Sequence, residues 1–221
     1  MVREIAGGFE LDPARVHRIP NGIDPAWWRS DGPGPPPGDQ PALILTWGRV
    51  QFEKGFQVLA RAISTLRTRR GNLECIIAGR GSYLPELQSQ LDIEGVSDVV
   101  TLPGFLSDHE LRATIHRAAC VVIPSLYEPF GVVALEALAG GAPLIVADTG
   151  GLAELVGGTG SALLFEPGNA EQLADRIDQL LGDPELAARM RRAGAELLEA
   201  TYTWDAIAAR TNDVYLDLLT P

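Results

Sequence analysis

The order of apolar and amphipathic stretches predicts an α/β fold built on a six-stranded parallel sheet. Short apolar runs alternate regularly with longer stretches of helical periodicity. Enough chain separates successive runs for a crossover connection, which implies parallel rather than hairpin pairing.

The strands are expected at Leu43 to Trp47, Leu73 to Ala78, Val99 to Leu102, Cys120 to Ile123, Pro143 to Ala147 and Ala162 to Phe165. Helices fall between them near 54 to 69, 82 to 94, 107 to 118 and 131 to 139, the last stopped by Gly140 and Gly141. After the sheet, Asn169 with Gln172 reads as a capping box for a helix to Leu181, and Asp183-Pro184 as the cap and first residue of another ending near Ala200. Tyr202 to Asp205 then opens a terminal helix to about Leu218. Ahead of the sheet, Val2 to Gly8 reads as helix, Asp12-Pro13 as loop and Val16 to Ile19 as strand, with Pro33 to Gly38 a flexible surface connection.

At 46% hydrophobic and 21% charged residues, with no apolar run near the length of a membrane span, the composition is that of a soluble globular chain, expected in the cytoplasm. A net charge of -11 argues against nucleic-acid partners. Cys75 and Cys120 each fall in an expected central strand and read as reduced core residues without metal-ligand spacing. His17, His109 and His116 are scattered and read as structural. No Asp-x-Asp pair occurs, so no metal and no cofactor are expected.

The segment Glu128-Pro129-Phe130-Gly131-Val132-Val133-Ala134-Leu135-Glu136 sets two carboxylates eight positions apart around a glycine that opens a helix. It follows a strand, and in an open parallel sheet ligands collect where loops leave the carboxyl ends of strands. The free N–H groups of a helix start favour an anion, with phosphate the natural guest at Gly131 and Val132. Glu128 sits on the loop at the mouth. Glu136 lies one turn past Val132, and helical side chains lean toward the N-terminus. Its two acceptor oxygens suit a vicinal diol such as ribose. A lone Glu on a helix is ordinarily a solvated position; the paired arrangement is what singles this one out.

A second feature is a count: of the 18 basic residues one is lysine, Lys54. A surviving ammonium amid arginines suggests a place for a compact point charge. Arg49 and Lys54 share one loop-to-helix junction after Leu43 to Trp47, and two cations there make a diphosphate clamp.

With these residues in place, the chain resembles the retaining glycosyltransferases of family 4, whose GT-B fold faces two Rossmann-like domains. Glu128 and Glu136 match the family's spaced glutamates, Arg49 and Lys54 its diphosphate-holding pair. Ile19 to Asp24 resembles the interdomain connection, Ala78-Gly79-Arg80-Gly81 the glycine turn, and Gly104-Phe105-Leu106 the strand end beside the base. Thr149 to Glu154 resembles the turn after the next strand. The Tyr127 to Gly131 segment is most similar to glycogen-synthase-like enzymes.

The resemblance implies a three-layer, Rossmann-like C-terminal donor-binding domain over 25–221, with 1–24 a remnant of the N-terminal domain and the interdomain connection. It implies Glu128, Arg49 and Lys54 as catalytic residues and Glu136, Phe130, Gly131, Val132, Phe105 and Gly79 as donor contacts. The donor would be an ADP-, UDP- or GDP-sugar, and the hexose, glucose foremost, would go to a glycan or other acceptor held by the N-terminal domain. At 221 residues the chain offers one such domain, so inactivity alone is expected, with self-association if Ile207, Val214 and Leu218 on the crossover helix are left bare. The competing readings are a non-catalytic nucleotide-sugar-binding or partner-interaction domain, and a GT-B sugar-nucleotide epimerase.

Overall fold

The computed structural model describes residues 8–9, 12, 16–29 and 40–219, the side chain of Leu218 excepted. The expected helix Val2 to Gly8, apart from Gly8, and the Pro33 to Gly38 connection lie outside the described residues, as does Pro13 of the expected loop.

Six strands, β1 Ala42–Trp47, β2 Leu73–Ala78, β3 Val100–Gly104, β4 Cys120–Ile123, β5 Leu144–Ala147 and β6 Ala162–Phe165, form one sheet in the order β3-β2-β1-β4-β5-β6. All five pairings are parallel. β4 and β5 are buried along their whole length, which is why they read as unbroken apolar runs and not as alternation.

The helices are α1 Pro25–Trp28, α2 Phe56–Arg67, α3 Leu84–Glu94, α4 Asp108–Arg117, α5 Val132–Ala139, α6 Gly150–Val156, α7 Ala170–Gly182, α8 Pro184–Leu197 and α9 Trp204–Leu219. They divide between the two sheet faces. On one, Ile44, Cys75, Ile77 and Val122 pack with Leu59 and Ile63 of α2, Leu87 of α3 and Ile177 of α7. On the other, Leu43, Leu45, Val121 and Leu144 pack with Ile115 of α4, Leu135 of α5 and Leu155 of α6. The result is a three-layer α/β fold whose strand order reverses between β1 and β4, because the chain winds outward one way from β1 and the other way from β4.

Cys75 and Cys120 are buried, free thiols that both sit opposite Ile44 on the strands flanking β1. Two strand spacings, about 10 Å, exceed disulfide reach. Burial pushes the Cys120 thiol up to about 12 and the Cys75 thiol higher still.

Several expectations need correction. Val16 to Ile19 forms no strand; nearby, Ile23 makes a single parallel bridge to Thr203 and donates its N–H to the Tyr202 carbonyl at 2.8 Å. A strand needs a partner edge, and none among the described residues is offered there. The Thr149 to Glu154 segment is not a turn: Thr149 precedes α6, and Gly150 to Glu154 are its first residues. Asn169 caps α7 one-sidedly, since the Gln172 side chain is drawn instead to the Glu166 N–H, while an unforeseen full capping box joins Ser107 and Glu110 at α4. The eighth helix stops at Leu197 and passes through a π-helical turn, Leu198–Tyr202. On α9, Ile207 is buried, because the first turns of that helix pack on this π segment, and Val214 is half-buried. The Leu218 side chain lies outside the described residues; among the described side chains of α9, Trp204, Tyr215, Leu216 and Leu219 are the exposed large apolar ones. Among the described residues no helix is long and apolar enough to cross a membrane.

The expected helix from position 54 is also divided. Phe52–Lys54 forms a 3-10 turn, and Gly55, at φ +70°, ends it before α2 begins at Phe56. A Cβ on Gly55 would lie 1.8 Å from the Pro124 carbonyl oxygen. Gly95 has nearly the same φ, +67°, with nothing within 4 Å of its would-be Cβ. Gly95→Ala should therefore lose about 1 kcal/mol of stability, the left-handed penalty alone, and Gly55→Ala more than about 3 kcal/mol. Urea unfolding of both variants measures the difference, and equal losses would show that the Gly55 loop gives way freely.

Candidate functional site

The cleft is built by the loops leaving β1 and β4, the two strands at the reversal of strand order. After Trp47 the chain runs through Gly48, Arg49 and the Phe52–Lys54 turn; after Ile123 it runs through Pro124 to Phe130 and into α5. Backbone contacts fasten the two loops together. The Leu126 N–H donates to the Glu53 carbonyl at 2.8 Å, and Gly55 lies against Pro124. The start of α6 closes on the second loop: the Gly151 N–H donates to the Glu128 carbonyl at 2.8 Å, and a Cβ on Gly151 would stand 2.4 Å from the Phe130 Cα. That is a steric demand for glycine at 151.

This fastening sets Lys54 against Glu128. The Lys54 Nζ lies 2.7 Å from Glu128 Oε2, with the two side chains 18% and 11% exposed. The Ser125 hydroxyl, itself buried, reaches the same oxygen at 3.4 Å. Neither charge would be stable so far from water without the other. Arg49 is exposed and makes no ion pair among the described residues, so its guanidinium is a free cation at the mouth. Gly131 precedes α5 with no side-chain cap, which leaves the first amides of an eight-residue helix open to the cleft.

Two cavities adjoin here. One of about 380 Å³ is lined by Arg49, Lys54, Glu128, Phe130, Gly131 and Val132 among others; one of about 270 Å³ is lined by Gly79, Arg80, Phe105, Leu106 and Leu111. Trp47, Gly48 and Arg49 line both. Eight of the nine residues singled out from sequence thus line this double cleft. The ninth, Glu136, does not: it is half-buried, and its Oε2 accepts from the Trp47 indole N–H at 2.9 Å. Trp47, Ser125 and Arg80 were not foreseen. A tryptophan ending a strand beside a glycine is the available signal for Trp47, since a buried indole N–H needs a partner. Among the described residues no three His, Cys, Asp or Glu side chains come together as a metal site.

Burial pushes the Glu136 carboxyl above the usual carboxylate range; the Trp47 N–H opposes this, and the charge of Asp108 adds to it.

Fold and cleft together define a doubly wound α/β domain with a cleft at the switch point. The chain belongs to the glycosyl transferases group 1 family, whose family model matches residues 33–197. Glycogen synthase of Mycobacterium tuberculosis is 37% identical over 213 residues, covering 96% of this chain and 51% of that protein. The chain spans about half the length of the curated relatives it matches. Among solved structures, Anabaena Alr3699/HepE in complex with UDP superimposes with a TM-score of 0.83 at 21% identity, over 94% of this chain and 59% of that one. The C-terminal domain of the group 1 family protein LpcC from Francisella tularensis does so with a TM-score of 0.69 at 22% identity, over 83% of this chain and 100% of that one. These structures share the GT-B α/β fold.

A raised folded-state pKa at Glu136 means that, from the ordinary carboxylate pKa up to the raised one, the folded protein binds more protons than the unfolded chain. Stability contributed at low pH is therefore lost as pH rises through that window. Glu136→Gln removes the titration, so its stability relative to the parent should improve from about pH 4 to about pH 7.5. Urea unfolding at the two pH values reads the trend, and a relative stability that fell with pH would reverse the assignment.

Proposed function

We propose that this chain is the C-terminal, donor-binding half of a retaining family 4 glycosyltransferase that moves a hexose, glucose foremost, from a nucleoside diphosphate sugar to a glycan or other acceptor. The observation that carries the reading is the Lys54–Glu128 pair, held between two loops in the same cavity as a free Arg49 and the uncapped start of α5. The identity to a glycogen synthase supports glucose, and the UDP held by a protein of the same fold supports a nucleoside diphosphate. Residues 25–221 form the donor domain, and 1–24 a remnant of the N-terminal domain with the interdomain connection.

The two cavities support one arrangement of sugar and diphosphate. The diphosphate occupies the larger one, between Arg49, Lys54 and the amides at Gly131 and Val132, with the nucleoside running past Trp47 toward Gly79 and Phe105 in the smaller one. When the bond from the anomeric carbon to the diphosphate oxygen breaks, the electron pair leaves with the diphosphate, the acceptor hydroxyl oxygen bonds to the anomeric carbon, and that hydroxyl's proton passes to the departing diphosphate. Two cations and a helix start then stabilise that charge in a site with limited access to water, where such contacts are strongest. Charge neutralisation is thereby assigned to protein groups, with no divalent ion required. Glu128 orients the sugar hydroxyls. The acceptor is held by the second domain, in keeping with relatives about twice as long, and transfer by these residues alone is not expected.

Calorimetric titration with ADP, UDP and GDP tests the donor site. One of the three should bind, and Arg49→Ala and Lys54→Ala, after their folding is verified by circular dichroism, should each weaken it by about 10- to 100-fold, the worth of a charge-assisted hydrogen bond. If the folded parent bound none of the three at about millimolar concentration, the donor reading would fail.

A further inference from the structure

We propose that Trp47 is a positioning residue for ribose recognition: its indole N–H fixes the Glu136 carboxylate so that one face meets the nucleoside sugar where the two cavities join. The proposal rests on the donor reading above and deepens it. Trp47 ends β1, at the one place in the sheet where the strand order reverses, and it lines both cavities. Glu136, 89 positions later, reaches that wall through the indole, with Oε2 accepting at 2.9 Å.

The geometry suits a positioning role because Glu136 has little else to hold it. It stands on α5 amid buried Ala134, Leu135, Ala137 and Leu138, where a carboxylate with no fixed donor would be costly and rotationally loose. A single N–H from a residue that lines both cavities supplies both the hydrogen bond and the orientation. The second carboxylate oxygen is then left to accept from a vicinal diol. A ligand spanning from the diphosphate cavity to the Phe105 cavity must pass this indole, and its ribose is the part placed there.

Trp47→Phe keeps an aromatic wall and deletes the N–H. Calorimetry of parent and variant with the nucleoside diphosphate that binds, and with its 2′,3′-dideoxy counterpart, separates the two roles. The parent should prefer the ribose form by about 10-fold or more. In Trp47→Phe that preference should collapse, because the ribose form weakens far more than its dideoxy counterpart. Glu136→Gln, which leaves the indole in place, should show the same collapse, and the double variant should lose no more than either single one, as expected for residues acting as one unit. Equal weakening of both ligands by Trp47→Phe would make the ring a cavity wall only and overturn the proposal, as would an unchanged ribose preference. Failure of the parent to bind any nucleoside diphosphate would overturn the donor reading and the proposal with it, whereas binding without a ribose preference would overturn the proposal alone. Should Trp47→Phe fail to fold, Trp47→Leu, which also deletes the N–H, carries the same comparison of ribose and dideoxy ligands.

Discussion

The cleft depends on the approach of two loops that lie far apart in sequence. The β1 and β4 strands are neighbours only because the chain reverses its winding direction between them. That adjacency brings the Phe52–Lys54 turn onto the Pro124 to Phe130 segment, through Gly55 against a carbonyl and Glu53 accepting from Leu126. Once the backbones are in contact, Lys54 and Glu128 meet across 74 positions in a setting mostly withdrawn from water. Their attraction does not by itself make the fold stable, since desolvation offsets much of it. It fixes which rotamers the two side chains adopt, and so gives the cavity its shape before any ligand arrives.

Much of this was legible in the sequence because it follows from local chemistry. Buried parallel strands show as short apolar runs, and all six fall where such runs stand. Lys54 was visible as the lone lysine, and Glu128 and Glu136 by their spacing about a helix-opening glycine. What escaped depends on tertiary contact. The break at Gly55 is set by a carbonyl 69 positions away, so helical periodicity ran through it. The burial of Ile207 depends on α9 folding onto the π segment, which no pattern within the helix announces. Trp47 looked like the end of a strand because its hydrogen-bond partner lies on another layer of the fold.

Glu136 shows how a shared residue type can take unlike roles within one motif. Both glutamates are poorly exposed, yet one is neutralised by an ammonium and the other meets only a neutral indole. An indole N–H stabilises a carboxylate less than a cation does, which is why burial prevails and the Glu136 carboxyl is pushed upward. A charge kept in so lean a setting is poised to gain from further donors. Hydroxyls of a bound sugar are donors of that kind.

The chain's net charge of -11 poses a final question for the proposed function, since it repels the anion that the cleft would bind. Two cations line the larger cavity, but Lys54 is already compensated by Glu128, which leaves Arg49 and the α5 amides to draw the ligand in. A diphosphate arriving beside Lys54 competes with Glu128 for the same ammonium protons. As Lys54 turns toward the phosphates, Glu128 loses part of its partner and must find other donors, because an unpaired carboxylate so little exposed is unfavourable. The hydroxyls of the attached hexose can supply them. In the proposed function, diphosphate and sugar would be recognised by one exchange of partners: a bare nucleoside diphosphate would take the lysine and strand the glutamate, while the sugar-bearing donor would satisfy both. Under the proposed function, the same pair that shapes the cleft would thus favour the intact donor over the product of its cleavage.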